Sequence, residues 1–149
     1  MIDFEFLDIE IPGFDSEFFV LSINALIENE NFGSGDITVI FCNDDYLLEV
    51  NRTHLKHDYF TDIITFDYTM NGTISGDLFI SVDRIRENAK TFEVGFKLEL
   101  SRVMYHGILH LCGYKDKSHE DQMVMREKEN FYLDKFVSRE TNGSLDEMK

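Results

Sequence analysis

The sequence predicts an α+β fold, a small mixed β-sheet of about four strands with helices packed largely on one side. Three observations carry that expectation. Four short runs, residues 2–10, 37–42, 61–68 and 73–81, are rich in β-branched and aromatic residues and are bounded by turn signals. Between and after them lie apolar-periodic segments that open on helix-capping residues. A chain of 149 residues with 43% hydrophobic content suits one domain with its own core, so residues 1–149 are read as a single domain without repeats or linkers.

In the first run, Phe4 and Phe6 share one parity and acids stand at 3, 5, 8 and 10, the pattern of an edge strand. Pro12-Gly13 ends it. Asp15 or Ser16 caps a helix running to about Asn29, with Phe18, Leu21 and Ala25 expected to face inward. Residues 31–36 read as a loop, and 37–42 as a buried strand. Asn43-Asp44-Asp45 is a turn and cap for a short helix over 46–54.

The runs 61–68 and 73–81 flank Met70-Asn71-Gly72. Asn-Gly between two β-rich segments signals a tight hairpin, because both central residues need positive φ. Gly76 within the second strand signals a bulge or a close backbone approach, and an open backbone there could receive an extended substrate strand. Ser81 caps a helix over 82–91, Gly95 marks a break, and a long helix follows over 97–112. Ser118 caps a last helix to about 137, and the polar tail 140–149 is expected to be mobile.

The long helix carries the chemistry. Leu98, Leu100, Met104, Ile108, Leu109, Leu111 and Cys112 spread around most of its cylinder, which predicts burial on nearly all sides. Glu99, Arg102, His106 and His110 fall in one polar stripe. Polar groups on a buried helix need partners, and a metal, water or anionic substrate would provide them. His106 and His110 stand one turn apart and can close on one divalent ion. Gly113 suits the left-handed residue that ends a helix, and the following turn brings Asp116 back as an oxygen ligand. Two imidazoles and a carboxylate, with a position left for water, make a catalytic zinc site. His119, at the start of the last helix, is the alternative third ligand. The competing view makes both histidines core residues bonded to carbonyls.

The stretch from His106 to Asp116, HGILHLCGYKD, resembles the H-G-x-L-H-L-x-G-Y-D-H signature of the YbeY family, bacterial metal-dependent endoribonucleases that act in ribosomal RNA maturation. Residues 51–66, NRTHLKHDYFTDIITF, are similar to the family's N-x-x-Y-R-x-x-D-x-P-T-D-V-L-S-F block, and residues 76–81, GDLFIS, to its G-D-I-x-I-S block. The resemblance spans roughly residues 35 to 130. It implies the same architecture, with a zincin-like metal helix lining a cleft. It also implies a zinc-dependent, single-strand-specific endoribonuclease acting in ribosomal RNA maturation and ribosome quality control. Ribosomal RNA, ribosomal particles or assembly proteins would be its partners. The family's third histidine falls on Asp116, its arginine on Leu55 and its proline on Phe60. Arg52 or Lys56 must then take the arginine's part, and Asp77 of the third block joins them as a substrate-binding candidate.

On this reading Arg102 neutralises charge on the reacting phosphate, and Glu99 orders Arg102 or a ligand imidazole. Tyr59 and Phe60 are candidate stacking platforms for RNA bases, against a role as ordinary core aromatics. A net charge of −15 argues against a broad nucleic-acid footprint. Residues 1–51 hold twelve acids and no Lys or Arg, whereas Arg84, Arg86, Lys90, Lys97 and Arg102 cluster later, so RNA should approach the later part of the chain. Two cysteines far apart, no signal peptide and no long apolar run point to a reduced, cytoplasmic setting without a membrane span. Two other classes remain. A metalloprotease would need a general base where Gly107 stands in the H-E-x-x-H pattern. A non-catalytic ribosome-assembly protein would use the metal only to staple the fold.

Overall fold

A computed structural model describes residues 1–138; the expected mobile tail lies outside them. The elements run β1 (Ile2–Phe6), α1 (Ser16–Asn29), β2 (Gly33–Cys42), α2 (Asp44–Leu55), β3 (Ile63–Asp67), β4 (Thr73–Ser81), α3 (Val82–Thr91), α4 (Phe96–Leu111) and α5 (His119–Tyr132). A π-helical segment, Leu133–Ser138, continues α5. The sheet order is β1-β2-β4-β3, with β1, β2 and β4 parallel and β3 antiparallel to β4. The sheet is therefore mixed and four-stranded.

Alternation along the strands divides the core. Ile37, Val39 and Phe41 of β2 and Ile74, Leu78 and Ile80 of β4 join α1, α3, α4 and α5 in the main core. Cys42, Ile64, Phe66 and Phe79 turn to the other face, where Leu47 and Val50 of α2 cover them. Most helices thus share one face, and among the described residues α2 is the helix that covers the second.

The caps read from the sequence are made. Asp15, Asn43, Ser81 and Ser118 each accept a backbone N–H three residues on. Asn71 (φ 52°) and Gly72 (φ 76°) form the hairpin turn, closed by paired bonds between Met70 and Thr73.

Three local expectations are corrected. The buried face of α1 is Phe19, Ile23, Leu26 and Ile27; of the residues expected inward, Phe18 packs against the core and Ala25 is half-buried, but Leu21 is 64% exposed. Apolar residues occupy more than one side of this helix, and the sheet takes the stripe with the larger aliphatic surface. Residues 33–36, read as loop, belong to β2: Gly33 pairs with Thr73 and Ser34 with Ile74, and the register shifts before Ile37. Two glycines hide this strand end from propensity. Lastly, Gly76 is not open to a substrate strand, because β4 lies between β2 and β3 and Gly76 is paired with both Ile37 and Asp67. Its glycine serves close packing, since a Cβ there would stand 2.5 Å from Phe66 O and 2.9 Å from Leu111 Cδ2.

Candidate metal centre

Helix α4 crosses the main-core face of the sheet. Leu100, Val103, Met104, Ile108, Leu109 and Leu111 bury around it. Gly107 lies against the sheet as well: a Cβ there would meet Ile63 Cδ1 at 2.7 Å and Leu78 Cδ2 at 2.9 Å. A side chain at the position of the protease glutamate would thus point into the core.

His106 and His110 stand on the polar stripe with ring centroids 4.8 Å apart. The helix then ends as its sequence dictates. Gly113 (φ 103°) donates to His110 O at 2.9 Å, and Tyr114 donates to Leu109 O at 3.1 Å, a Schellman pair. That turn reverses the chain and sets Asp116 Oδ2 3.1 Å from His106 Nε2 and 3.2 Å from His110 Nε2. One ligand atom from each of the three residues lies within 4.8 Å of the others. His119 lines the same cleft but stands outside that group.

The donor set fits a divalent ion. Two imidazole nitrogens and a carboxylate suit zinc chemistry and leave a place for water. The second nitrogen of His106 is also committed, since Nδ1 lies 2.6 Å from Glu129 Oε2. A carboxylate on the far nitrogen fixes ring and tautomer and leaves Nε2 as the ligand atom. The other oxygen of Glu129 accepts from Arg102 Nη1 at 3.0 Å, and Arg102 Nη2 donates to Asn130 Oδ1 at 2.9 Å. The carboxylate that orders both Arg102 and an imidazole is therefore Glu129 of α5, whereas Glu99 accepts no hydrogen bond among the described residues.

Charge explains the titration of the site. Burial would raise the Glu129 carboxyl, but His106 and Arg102 hold it below the ordinary range. Burial would lower the His106 imidazole, but Glu129, then Asp116 and Asp62, raise it above its usual value. Glu99 is pushed up, first by burial and then by Asp62 and Glu129, with Arg102 opposing. Asp62 is raised by burial, with His106 opposing.

Two clefts meet at this group, with His106 and Asp116 lining both and His110 the second. The first, ≈ 710 Å³, runs between α3, α4 and α5 and is lined by Asn88, Phe92, Glu99, Arg102, His119 and Met123 among others. The second, ≈ 540 Å³, runs along the end of α2 and the edge strand β3, past Asn51, Leu55, His57, Tyr59, Thr65 and Lys117. His106, Asp116, Asp62 and Ile63 line both.

Arg52 pairs with Asp58 and Glu49, and Lys56 is the left-handed cap of α2; neither lines the clefts. Leu55 does line the second cleft, whose ammonium group is Lys117. Asp77 points to the sheet face opposite α4 and accepts from Tyr68 Oη at 3.2 Å. Tyr59 lines the second cleft and stacks on His57 with centroids 5.3 Å apart, whereas Phe60 lies under the Arg84 guanidinium. Buried Asn51 donates to Tyr59 O at 2.9 Å and accepts from His57 N at 3.0 Å, so it pins this loop beside the ligands.

Glu129, Asp62 and Asn51 escaped the sequence reading. Glu129 had a signal, for it falls on the stripe Met125–Glu129–Tyr132 of α5, a charged residue at a core position. Asn51 and Asp62 fall on the N and D of the family block over residues 51–66, and that match is the signal the sequence held for them.

Comparison with known proteins agrees with this geometry. The family model described as Endoribonuclease YbeY matches residues 12–137. A protein named Endoribonuclease YbeY from Flavobacterium psychrophilum is 47% identical over 137 residues, covering 91% of this chain and 96% of that protein. One from Parabacteroides distasonis is 50% identical over 123 residues, covering 83% and 87%. A Thermotoga maritima protein solved in solution superposes with a TM-score of 0.69 at 28% identity, covering 97% of this chain and 93% of the other. On both the matched residues and the fold, this chain belongs to the endoribonuclease YbeY family.

Proposed function

We propose that the chain is a zinc-dependent endoribonuclease that cuts single-stranded RNA during ribosomal RNA maturation and ribosome quality control in the cytoplasm. One observation carries this reading: in a member of this family, His106, His110 and Asp116 converge where two clefts join. Among the described residues no helix is long and apolar enough to cross a membrane.

Nε2 of His106, Nε2 of His110 and a carboxylate oxygen of Asp116 would hold the ion. When bound, it supplies Lewis acidity, withdrawing charge from a phosphate oxygen and making water more acidic. The chain supplies the rest. Glu129 keeps the His106 ring in its ligating orientation. Arg102 is held by hydrogen bonds to Glu129 and Asn130 and lines the first cleft, where it would neutralise charge developing on the phosphorus oxygens. Lys117 in one cleft and Arg126 in the other receive the neighbouring phosphates. A single strand can splay its bases into both clefts, whereas a duplex keeps them stacked inside. Gly107, packed against the sheet, leaves no general base of the protease kind.

The test is cleavage of short unstructured RNAs by zinc-loaded protein. Chelation should abolish it, and His106→Ala should lose metal and turnover together. Arg102→Ala, with zinc content and Tm retained, should lower turnover by about 10²–10³. If zinc stoichiometry falls in His119→Ala but not in Asp116→Ala, the third ligand is misassigned. Absence of turnover on several RNAs would favour a non-catalytic assembly protein with a metal staple. Cutting of unstructured peptides would favour a protease.

A further inference from the structure

The first cleft extends well beyond the ligands. Besides the metal group, the end of α3 and the first turns of α5 line it. Phe92, which caps α3, and Met123 of α5 line it from two sides, 59% and 53% exposed. Buried Val103 and Met125 contribute apolar surface, and Asn88 adds an amide one turn before Phe92. Glu99 also lines the cleft, only 4% exposed, and accepts no hydrogen bond among the described residues. Its oxygens meet the water of the cleft and are spoken for by no protein donor among the described residues, so they are open to a ligand that brings N–H groups.

The ligand is not a phosphate. Glu99, Asp62, Glu127 and Glu129 line this cleft, and their charges repel anions away from the metal group, Arg102 and Arg126. A flat, neutral molecule with apolar faces and polar edges fits the exposed apolar side chains and the carboxyl. Spacing supplies the rest: Glu99 precedes His106 by seven residues, about 10 Å along the helix axis. That leaves room for a phosphate at the metal group and its base beside Glu99.

We infer that this cleft, where Phe92, Met123 and Glu99 line it, holds a subsite for one unpaired nucleobase next to the cleaved bond, stacked against Phe92 and Met123 and read by Glu99 through N–H donors on its edge. The inference rests on the nuclease reading above. Cytosine offers an amino donor where uracil offers a carbonyl acceptor, so a carboxylate favours the former.

The test uses oligocytidylate and oligouridylate hexamers with zinc-loaded protein at pH 8, read by fluorescence anisotropy and by initial cleavage rate. Wild type should prefer oligocytidylate about tenfold. Glu99→Gln should bring the two within about twofold, because an amide both donates and accepts. Phe92→Ala, at an exposed position that does not threaten folding, should weaken both by about tenfold and keep their ratio. Equal handling of the two RNAs by wild type, a ratio unchanged in Glu99→Gln, or full affinity in Phe92→Ala overturns the subsite. Zinc-dependent cleavage with any of these results leaves the nuclease reading standing and removes only the base subsite. No binding and no cleavage of either RNA removes both.

Discussion

Glu129 is the residue on which the centre turns, because its two oxygens hold two different side chains of α4. It is 5% exposed, so neither bond competes freely with water. Removing it would free the His106 ring and leave the Arg102 guanidinium tied only to Asn130. Glu129→Gln should lower zinc affinity about 10–100-fold while the three ligands stay in place. Competition against a chelating dye measures this, and unchanged affinity would strip Glu129 of its orienting role. Asp116 works differently. It reaches the ligand group only because Gly113 takes a left-handed φ of 103°, so a β-branched residue at 113 should shift Asp116 and reduce zinc stoichiometry in elemental analysis.

At the scale of elements, two contacts hold α4 and α5 where the centre needs them. The first is the approach of α4 to β4 at Gly76. A methyl there meets the Phe66 carbonyl, a backbone atom that cannot rotate aside. Gly76→Ala should destabilise by about 1–3 kcal/mol, measured as a fall in the denaturant midpoint at constant slope. The second is Glu30, just past α1. It accepts from Tyr114, which follows the α4 turn, and from Tyr132 and Lys128 of α5. Burial would raise this carboxyl, but the hydroxyls of Tyr132 and Tyr114 and the Lys128 ammonium hold it below its ordinary value. A lowered carboxyl stabilises the fold above its unfolded pKa and ceases to do so as pH falls through the folded one. Glu30→Gln should therefore cost about 1–3 kcal/mol at pH 7. The gap from wild type should narrow as both are acidified below the usual carboxylate range. Urea melts across pH 2–7 check the sign, and a gap that widens in acid would refute it.

For the whole molecule, charge sets how RNA is met. The net charge is −15, with −12 of it in residues 1–51, while the clefts draw their cations, Arg102, Arg126 and Lys117, from the later chain. Two or three phosphate contacts give a single-strand salt slope near −1.4 to −2.1. Affinity should then fall only about 7- to 20-fold between 50 and 200 mM salt, far less than for a protein with a basic face. Anisotropy titrations over that range measure it; a loss of a thousandfold would mean a phosphate-binding surface outside the two clefts.

By itself the sequence determined what depends on neighbours a few residues away. The caps at Asp15, Asn43, Ser81 and Ser118, the Asn71-Gly72 turn, the helix stop at Gly113 and the pairing of His106 with His110 are all local events. Backbone sterics and a 3.6-residue period decide them before the chain folds. Only the tertiary structure decided the rest. It made residues 33–36 a strand by pairing glycine-rich backbone with β4, and it chose which stripe of α1 meets the sheet. It enclosed Gly76 between two strands, and it delivered Glu129 to His106 from 23 residues away. These outcomes turn on which surfaces meet across the core, and a surface's partner is not encoded in its own short stretch of chain.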